Sequence, residues 1–326
     1  MSMPSRNFTI DNVSPLIRYD PKEKWKPGST KEDPQADRYY RSTSTTTVLA
    51  DATATFHFNG TDIYVYGAKR FNHRLYTVDL DGAAKTYDGH PRSGEDEFQD
   101  VLYSANDLDP ETPHTIIVSC EQNSYLDIDY ITWTNSIGNE TTIQESDDAF
   151  AYSGEWLHAE DTANSMLYGN GVGHQTQDED GYVNLTFAGS AISLYGVVGD
   201  GLGVYSVQLD ESDIVFFNAT NWGDTQGQAM LYHASSLDDG QHSLVVSNAP
   251  DHLSFDNLTI DYAIVYAKGR EGGSRSLDRA SEPVPVQVAS ETLWDGRVSI
   301  DGRADDLDPP PAPPDYEQAM QTMPRQ

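Results

Sequence analysis

The stretch from Phe56 to Gly82 reads FHFNGTDIYVYGAKRFNHRLYTVDLDG and decides the fold. Aromatic and β-branched residues alternate with polar residues through most of it, which is the period of two that a half-buried β-strand requires. Asn-Gly, a single glycine and Asp-Gly interrupt the alternation where turns are expected. The stretch therefore predicts short strands joined by turns, with Phe56 and Phe58 facing the core.

The same pattern occurs a second time, 129 residues further along the chain. The matching pairs are Phe58 and Phe187, Tyr66-Gly67 and Tyr195-Gly196, Tyr76 and Tyr205, and Leu80-Asp81 and Leu209-Asp210. The match extends to the closing strands, where LDIDYITW (126–133) corresponds to LTIDYAIV (258–265). A period this long is a whole domain, because solenoid repeats are only about 20–50 residues long. The chain is therefore a tandem duplication.

Both copies are predicted to be all-β, because short alternating segments and turn residues follow one another without a convincing amphipathic helix. The predicted fold class is two tandem jelly-roll β-sandwiches followed by a disordered proline-rich tail. The predicted bounds are 8–137 for the first copy, 138–268 for the second and 269–326 for the tail, where prolines become frequent.

The charge of the chain limits its partners. It carries 52 acidic and 20 basic residues, a formal net charge of −32. This charge repels phosphate backbones, so a nucleic-acid partner is not expected. The single cysteine, Cys120, excludes an intrachain disulfide and is expected to be a packed thiol at the end of a strand.

The duplicated Tyr-Gly and Leu-Asp positions and the closing L-x-I-D-Y strand carry a resemblance. They resemble tandem galactose-binding-like jelly rolls, similar to carbohydrate-binding modules. The whole arrangement resembles surface proteins of mushroom-forming fungi, in which two such domains are combined with one membrane helix and a proline-rich cytoplasmic tail. The resemblance implies glycans or cell-wall polysaccharide as partners and a place at the cell surface or outside the cell. The chain shows neither a signal-peptide core at its start nor a run of about 18 apolar residues, so membrane attachment is expected from the resemblance alone.

The leading functional interpretation is non-catalytic glycan or cell-wall recognition, or adhesion. G-x-S-x-G, H-E-x-x-H and phosphate-binding loops do not occur, so the chain is expected not to be an enzyme. The alternatives are a β-sandwich glycosidase or lyase and a purely structural surface protein. No cofactor is expected. A structural calcium ion stays open, because Asp129 and Asp261 recur in the closing strand and Asp11 lies in the first, but six to eight oxygen ligands are not evident.

A basic and aromatic cluster in the first copy is the candidate ligand site. Sugar binding needs planar donors for hydroxyl groups and an aromatic face for the C–H side of the ring. The candidate ligand-binding residues are Trp25, Lys69, Arg70, His73, Arg74 and Tyr87. The second copy has Val198-Gly199-Asp200-Gly201-Leu202 near the same place, so the site is expected in the first copy alone. The alternative is a solvated turn whose cations pair with surrounding carboxylates.

Two short motifs bear on the cellular location of the protein and on a possible partner. N-x-S/T sequons, which indicate a secreted glycoprotein or chance in a Thr-rich chain, begin at Asn7, Asn12, Asn59, Asn139, Asn184, Asn218 and Asn257. In the tail, Pro313, Pro314 and Tyr316 form a P-P-x-Y motif. A pre-ordered polyproline segment of this kind fits the aromatic groove of a WW domain, so a WW-domain protein is a second candidate partner.

Overall fold

The computed structural model describes residues 4–28, 33–121, 123–162, 166–221, 223–238, 240–249 and 256–267. The predicted disordered tail and its P-P-x-Y motif lie outside the described residues. The strands of both copies belong to one compact unit, Met1–Gly273. The predicted boundary between residues 137 and 138 therefore stays a prediction.

The first copy is a sandwich of two antiparallel sheets. A sheet with the order β1-β12-β6-β9 packs against one with the order β2-β5-β10-β7-β8, and a small sheet, β11-β4-β3, extends the first. The strands are β1 (Ser5–Asp11), β2 (Arg18–Asp20), β3 (Trp25–Gly28), β4 (Ser44–Thr47), β5 (Thr53–Phe58), β6 (Asp62–Lys69), β7 (Leu75–Leu80), β8 (Ala83–Asp88), β9 (Glu97–Ala105), β10 (His114–Cys120), β11 (Leu126–Ile128) and β12 (Tyr130–Ser136). Short 3₁₀ helices span Lys22–Lys24, Ala36–Arg38 and Tyr40–Ser42.

The second copy repeats this topology. One sheet has the order β15-β16-β23-β18-β21, with β13 also paired to β23, and the other has the order β14-β17-β22-β19-β20. The strands are β13 (Asn139–Gln144), β14 (Phe150–Ser153), β15 (Leu157–Glu160), β16 (Val172–Thr176), β17 (Tyr182–Ala188), β18 (Ala191–Val198), β19 (Val204–Leu209), β20 (Val215–Asn218), β21 (Gln226–Ala234), β22 (Gln241–Asn248) and β23 (Leu258–Ala267).

The predicted all-β fold with two jelly-roll sandwiches is confirmed. Each copy has two sheets, and the inner faces of both sheets supply its buried core. Phe56 and Phe58 are buried as predicted, and Cys120 is a buried thiol. Even local irregularities are duplicated, since Gln99 in β9 and Gln228 in β21 both have a positive φ, of 50° and 52°. Each of these residues lies where the register of its strand pair shifts.

The two sandwiches pack against each other through aromatic rings. The imidazole of His233, in β21, lies 4.8 Å from the ring of Phe8 and 5.3 Å from that of Trp133. The ring of Tyr266 meets Phe8 edge-on at 5.4 Å. Ser14 donates a 2.8 Å hydrogen bond to the Met230 carbonyl across the same contact. None of the helices in the described part of the chain has the length and apolar character needed to cross a membrane.

Candidate functional site

Three loops at one end of the first sandwich are tied together by Arg70. This residue follows β6, and its guanidinium forms ion pairs with Asp33 and, at 3.3 Å, with Asp96. The backbone N–H of Phe71 donates to the Asp96 carboxylate at 3.2 Å. The guanidinium of Arg70 also lies 5.1 Å from the centre of the Phe98 ring. Arg70 therefore fixes loop geometry and has its charge balanced by the protein itself.

Behind these loops lies a buried polar cluster, the brace, which consists of Tyr39, His73 and Asp127. The Nε2 atom of His73 lies 2.8 Å from Asp127 Oδ2, and the Tyr39 hydroxyl donates to the same oxygen at 2.6 Å. The N–H of Ala68 donates to Asp127 Oδ1 at 2.7 Å. Burial opposes ionisation of Asp127, but His73, Tyr39 and this N–H together hold its pKa below the usual value. The brace is a fully partnered structural unit that anchors the loop after β6.

The second sandwich has no such brace. Isolated bridges between His73 and Tyr125 and between Leu202 and Asn257 occupy the same place in the two copies. The sequence match that aligns the closing strands places Thr259 where the first copy has Asp127. With leucine and threonine at these positions, the second copy cannot form the hydrogen-bonded pair. The expectation of a ligand site in the first copy alone stays a prediction.

The surface above the brace is aromatic and basic. The side chains of Phe71 and Tyr125 are 52% and 43% exposed, which is unusual for large rings in this protein. The ring of His90 meets Phe71 edge-on at 5.3 Å. Arg74 uses Nη1 to donate to the carbonyls of Phe71 and His73, at 2.6 and 2.8 Å, and this positions its guanidinium. We call Phe71, Arg74, His90 and Tyr125 the loop face.

The remaining predicted ligand residues are distributed differently. Lys69 is buried, with Nζ 2.5 Å from the Asp100 carboxylate, so this side chain is not available at the surface. Trp25 is buried beside Tyr19 in another part of the sandwich, with ring centres 4.8 Å apart. Tyr87, in β8, stacks on Tyr76 at 5.7 Å. The structure therefore brings Arg70, His73 and Arg74 together. The pairing of Lys69, Arg70 and His73 with carboxylates matches the alternative considered from sequence.

The recurring aspartates of the closing strands bind backbone groups. Both carboxylate oxygens of Asp129 accept from the Tyr40 N–H, at 3.0 and 3.2 Å, and those of Asp261 accept from the Gly169 N–H at 3.1 and 3.0 Å. Burial raises the pKa of Asp129 to about 8 and that of Asp261 to about 7. Asp11 lies with Oδ2 3.8 Å from Arg41 Nε. Among the described residues, no group of three or more His, Cys, Asp or Glu side chains is arranged to hold a metal ion.

Sequence reasoning missed several of these residues. Asp127 carried a signal, since LDIDY becomes LTIDY in the second copy, and a polar residue gained at a buried strand position needs a partner. Sequence reasoning also missed a histidine–aspartate pair that occurs in both copies. His114 Nδ1 lies 2.7 Å from Asp81, and His242 Nδ1 lies 2.8 Å from Asp210. The signal was the joint recurrence of the Leu-Asp turn and the histidine. Phe71, His90 and Tyr125 had no pattern that distinguished them from core residues.

The sequon residues differ in exposure. Asn12 is fully buried, and its Nδ2 donates to the Thr45 hydroxyl at 2.9 Å. A glycan on that nitrogen is incompatible with this packing, so Asn12 is removed from the predicted glycosylation sites. Exposed sequon residues are Asn7, Asn139 and Asn218, and partly buried ones are Asn59, Asn184 and Asn257.

No family model matches the chain. The chain is 29% identical over 240 residues to the A type blood alpha-D-galactosamine galactosaminidase of Flavonifractor plautii, a match that covers 72% of this chain and 20% of that enzyme. Among solved structures, an exo-beta-1,3-galactanase from Phanerochaete chrysosporium has 12% identity and a TM-score of 0.31, over 69% of this chain and 54% of its own. The N-terminal CBM22-1–CBM22-2 tandem domain of a Paenibacillus barcinonensis protein has 7% identity and a TM-score of 0.25, over 82% and 98%. TM-scores this low support no inference about function.

The match to a galactosaminidase corrects one expectation. The absence of familiar enzyme motifs predicted that the chain is not an enzyme, and that prediction is contradicted by 29% identity to a protein named as a glycosidase. The motifs searched for belong to serine hydrolases, zinc proteases and nucleotide-binding enzymes, whereas glycosidases use carboxylate pairs that have no fixed spacing in sequence. Because the chain spans about one fifth of that enzyme's length, its activity is considered below as a proposal.

Proposed function

We propose that this chain is a carbohydrate-active protein of the glycosidase type, which holds its glycan substrate at the loop face of the first sandwich. The observation that carries the proposal is the pair of exposed rings, Phe71 and Tyr125, on loops anchored by the buried brace. The sugar class we propose is an α-linked galactosamine, the sugar in the name of the Flavonifractor plautii relative.

The chemistry of the loop face suits a sugar. The rings of Phe71 and Tyr125 offer apolar faces for the C–H side of a pyranose, and such contacts do not require desolvation of a charge. A guanidinium has five N–H donors, and the two hydrogen bonds of Arg74 Nη1 leave others for hydroxyl groups. Because the brace and Arg70 fix the backbone, little conformational entropy is lost when the ligand binds.

A glycan array combined with a hydrolysis assay tests this function. The full chain is expected to bind α-galactosaminide-terminated glycans, and the assay measures release of the sugar from the same glycans. Phe71→Ala is expected to weaken binding and turnover together, whereas Leu157→Ala, which removes another exposed apolar side chain in the second sandwich, should change neither. Absence of both binding and hydrolysis across the array would refute the proposal.

The cellular location of the protein is also a proposal. We infer an extracellular or cell-surface glycoprotein, an inference supported by the exposed sequon residues Asn7, Asn139 and Asn218. The predicted membrane attachment, the fungal source and binding of a WW domain by Pro313, Pro314 and Tyr316 stay predictions. Fractionation of the protein made in its native host, with and without glycosidase treatment, tests the first inference.

A further inference from the structure

A groove of about 530 Å³ separates the two sandwiches, and none of the loop-face residues lines it. One wall comes from the segment 12–27 of the first copy, and the other from β19, β20 and residues 218–221 of the second. The volume lies within the range of about 300–1,000 Å³ that is typical of small-molecule sites. Neither sandwich contains this groove alone, so it exists only because the domain was duplicated.

The charge of the groove is opposite to that of the protein. None of the residues that line it is Asp or Glu, although the chain carries 52 of them. The lining includes Arg18, Lys22 and His57. Within the described part of the chain, neither Arg18 nor Lys22 forms an ion pair, whereas Lys69 and Arg70 pair with carboxylates. Carboxylates elsewhere on the surface are screened over about 8 Å at physiological ionic strength, so local charge dominates inside the groove.

Trp25, at the start of β3, and Trp156, just before β15, occupy the same place in the two copies, 156 − 25 = 131 residues apart. In the second copy, Trp156 Nε1 donates to the Ser153 carbonyl at 2.9 Å. The corresponding residue, Trp25, lines the groove, and its buried Nε1 has no acceptor among the described residues. Lys22 stands three residues before Trp25, as Ser153 does before Trp156. The first copy therefore has a cation, Lys22, at the groove where the second copy has a serine, and the Nε1 atom of Trp25 is buried and does not reach the groove.

The apolar part of the groove supplies ring faces. Phe216, in β20, is 65% exposed at one wall, and Tyr19 and Trp25 lie at the other. Asn218 and Asn221 also line the groove. Aromatic faces, amides and unpaired cations together are the groups that bind a sugar carrying a carboxylate, since a guanidinium binds a carboxylate in a bidentate manner.

We infer that this groove is a second glycan site, which binds an acidic oligosaccharide of the uronic-acid type. Arg18 and Lys22 contact the sugar carboxylates, and Phe216 stacks against a pyranose ring. Burial lowers the pKa of Lys22, and a bound carboxylate would raise that pKa again by balancing the charge. The inference does not depend on the loop face, and the two sites take sugars of different charge.

Calorimetric titration with trigalacturonate, compared with neutral galactotriose, tests the inference. The full chain is made in a bacterial host, so that no glycan on Asn218 can occupy the groove. Trigalacturonate is expected to bind with an affinity that falls as ionic strength rises, and galactotriose at least about tenfold more weakly. Lys22→Gln is expected to weaken trigalacturonate binding about tenfold, the effect of one charge-assisted contact.

Two control variants show whether a loss of trigalacturonate binding is specific to the groove. Lys26→Gln removes an exposed cation of the neighbouring strand that does not line the groove, and should leave binding unchanged. Phe71→Ala, at the loop face, should also leave trigalacturonate binding unchanged, so failure of the loop-face proposal does not affect this test. Equal binding of the neutral and acidic sugars, equal effects of Lys22→Gln and Lys26→Gln, or no binding of trigalacturonate would each overturn the inference.

Discussion

His73 and Asp127 form a hydrogen-bonded pair inside the first sandwich, with His73 Nε2 2.8 Å from Asp127 Oδ2 and both side chains buried. The two residues are 54 positions apart and belong to different loops and strands, so the pair links the loop after β6 to the closing strand. The pair therefore anchors the backbone of the loop face without reaching a ligand itself.

Loss of this pair should destabilise the fold. Asp127→Asn is expected to lower the free energy of unfolding by about 3 kcal/mol, because the buried side chains of His73 and Tyr39 lose the carboxylate with which they form hydrogen bonds. Urea denaturation measures the effect, with Asp148→Asn at an exposed position as the control. Adding His73→Gln to Asp127→Asn should cost less than the sum of the single changes. Additive effects would show that the two side chains act independently.

Stability should fall between pH 6.5 and 8. Burial first, and then the neighbouring carboxylates of Asp127 and Asp11, raise the pKa of Asp129 to about 8 against the opposing hydrogen bond from Tyr40. A carboxyl whose folded pKa is raised stabilises the folded state while protonated, and that stability is lost as the pH rises through the folded pKa. The expected loss over this window is about 1–2 kcal/mol.

The thermal midpoint measured as a function of pH checks this expectation. Asp129→Asn should flatten the profile between pH 6.5 and 8, whereas Asp148→Asn should not. The raised pKa of His242 contributes in the same direction. His233 does not affect the profile in this pH window. Because burial lowers its pKa, the stability that it contributes changes only below pH 6.5, the ordinary histidine value. A profile that rises through the window would contradict the account.

The interface histidine should titrate unusually. Burial between the sandwiches lowers the pKa of His233 to about 4, and among the residues that the structure describes its Nδ1 has one polar contact, the Ser193 hydroxyl at 2.9 Å. His242 should instead titrate above the ordinary histidine value, because its hydrogen bonds to Asp210 and to the Asp238 carbonyl outweigh the effect of burial. NMR titration of the imidazole resonances measures both. A His233 that titrates near 6.5 would show that water reaches the interface.

Glycan occupancy should follow exposure. In protein secreted from a eukaryotic host, mass spectrometry of glycopeptides is expected to find glycans at Asn7, Asn139 and Asn218 and an unmodified Asn12. The side chain of Asn12 is buried and its Nδ2 donates to the Thr45 hydroxyl, so the folded first sandwich has no room for a glycan there. A glycan at Asn12 would mean that this part of the first sandwich is not packed as described.

The sequence alone predicted the fold well because the same information occurs twice. The alternation around Phe56 and Phe58 predicted strand faces, and the match with Phe187 predicted a second sandwich of the same order. Side-chain alternation depends only on neighbouring residues, so it can be recognised in the sequence without the tertiary structure.

The candidate site was only partly predictable, because its properties depend on residues far apart in sequence. The Lys69-to-Arg74 segment was identified by its basic character, but carboxylates at position 33, at positions 96 and 100 and at position 127 decide which of its cations are free. Asp96 and Asp100 gave no sign of these partnerships in the sequence, and the signal at Asp127 did not identify its partner. The groove between the sandwiches depends on how the two copies pack, which no pattern within either copy records.

Calorimetric titration of an α-galactosaminide trisaccharide tests the central claim, the loop face as a glycan site, most directly. The account predicts measurable binding by the full chain and at least about a tenfold loss, or ~1.4 kcal/mol, in Phe71→Ala. Phe216→Ala, which removes a ring from the groove that is even more exposed than Phe71, should leave that affinity unchanged. Undetectable binding by the full chain, or an affinity that Phe71→Ala does not reduce, would contradict the account.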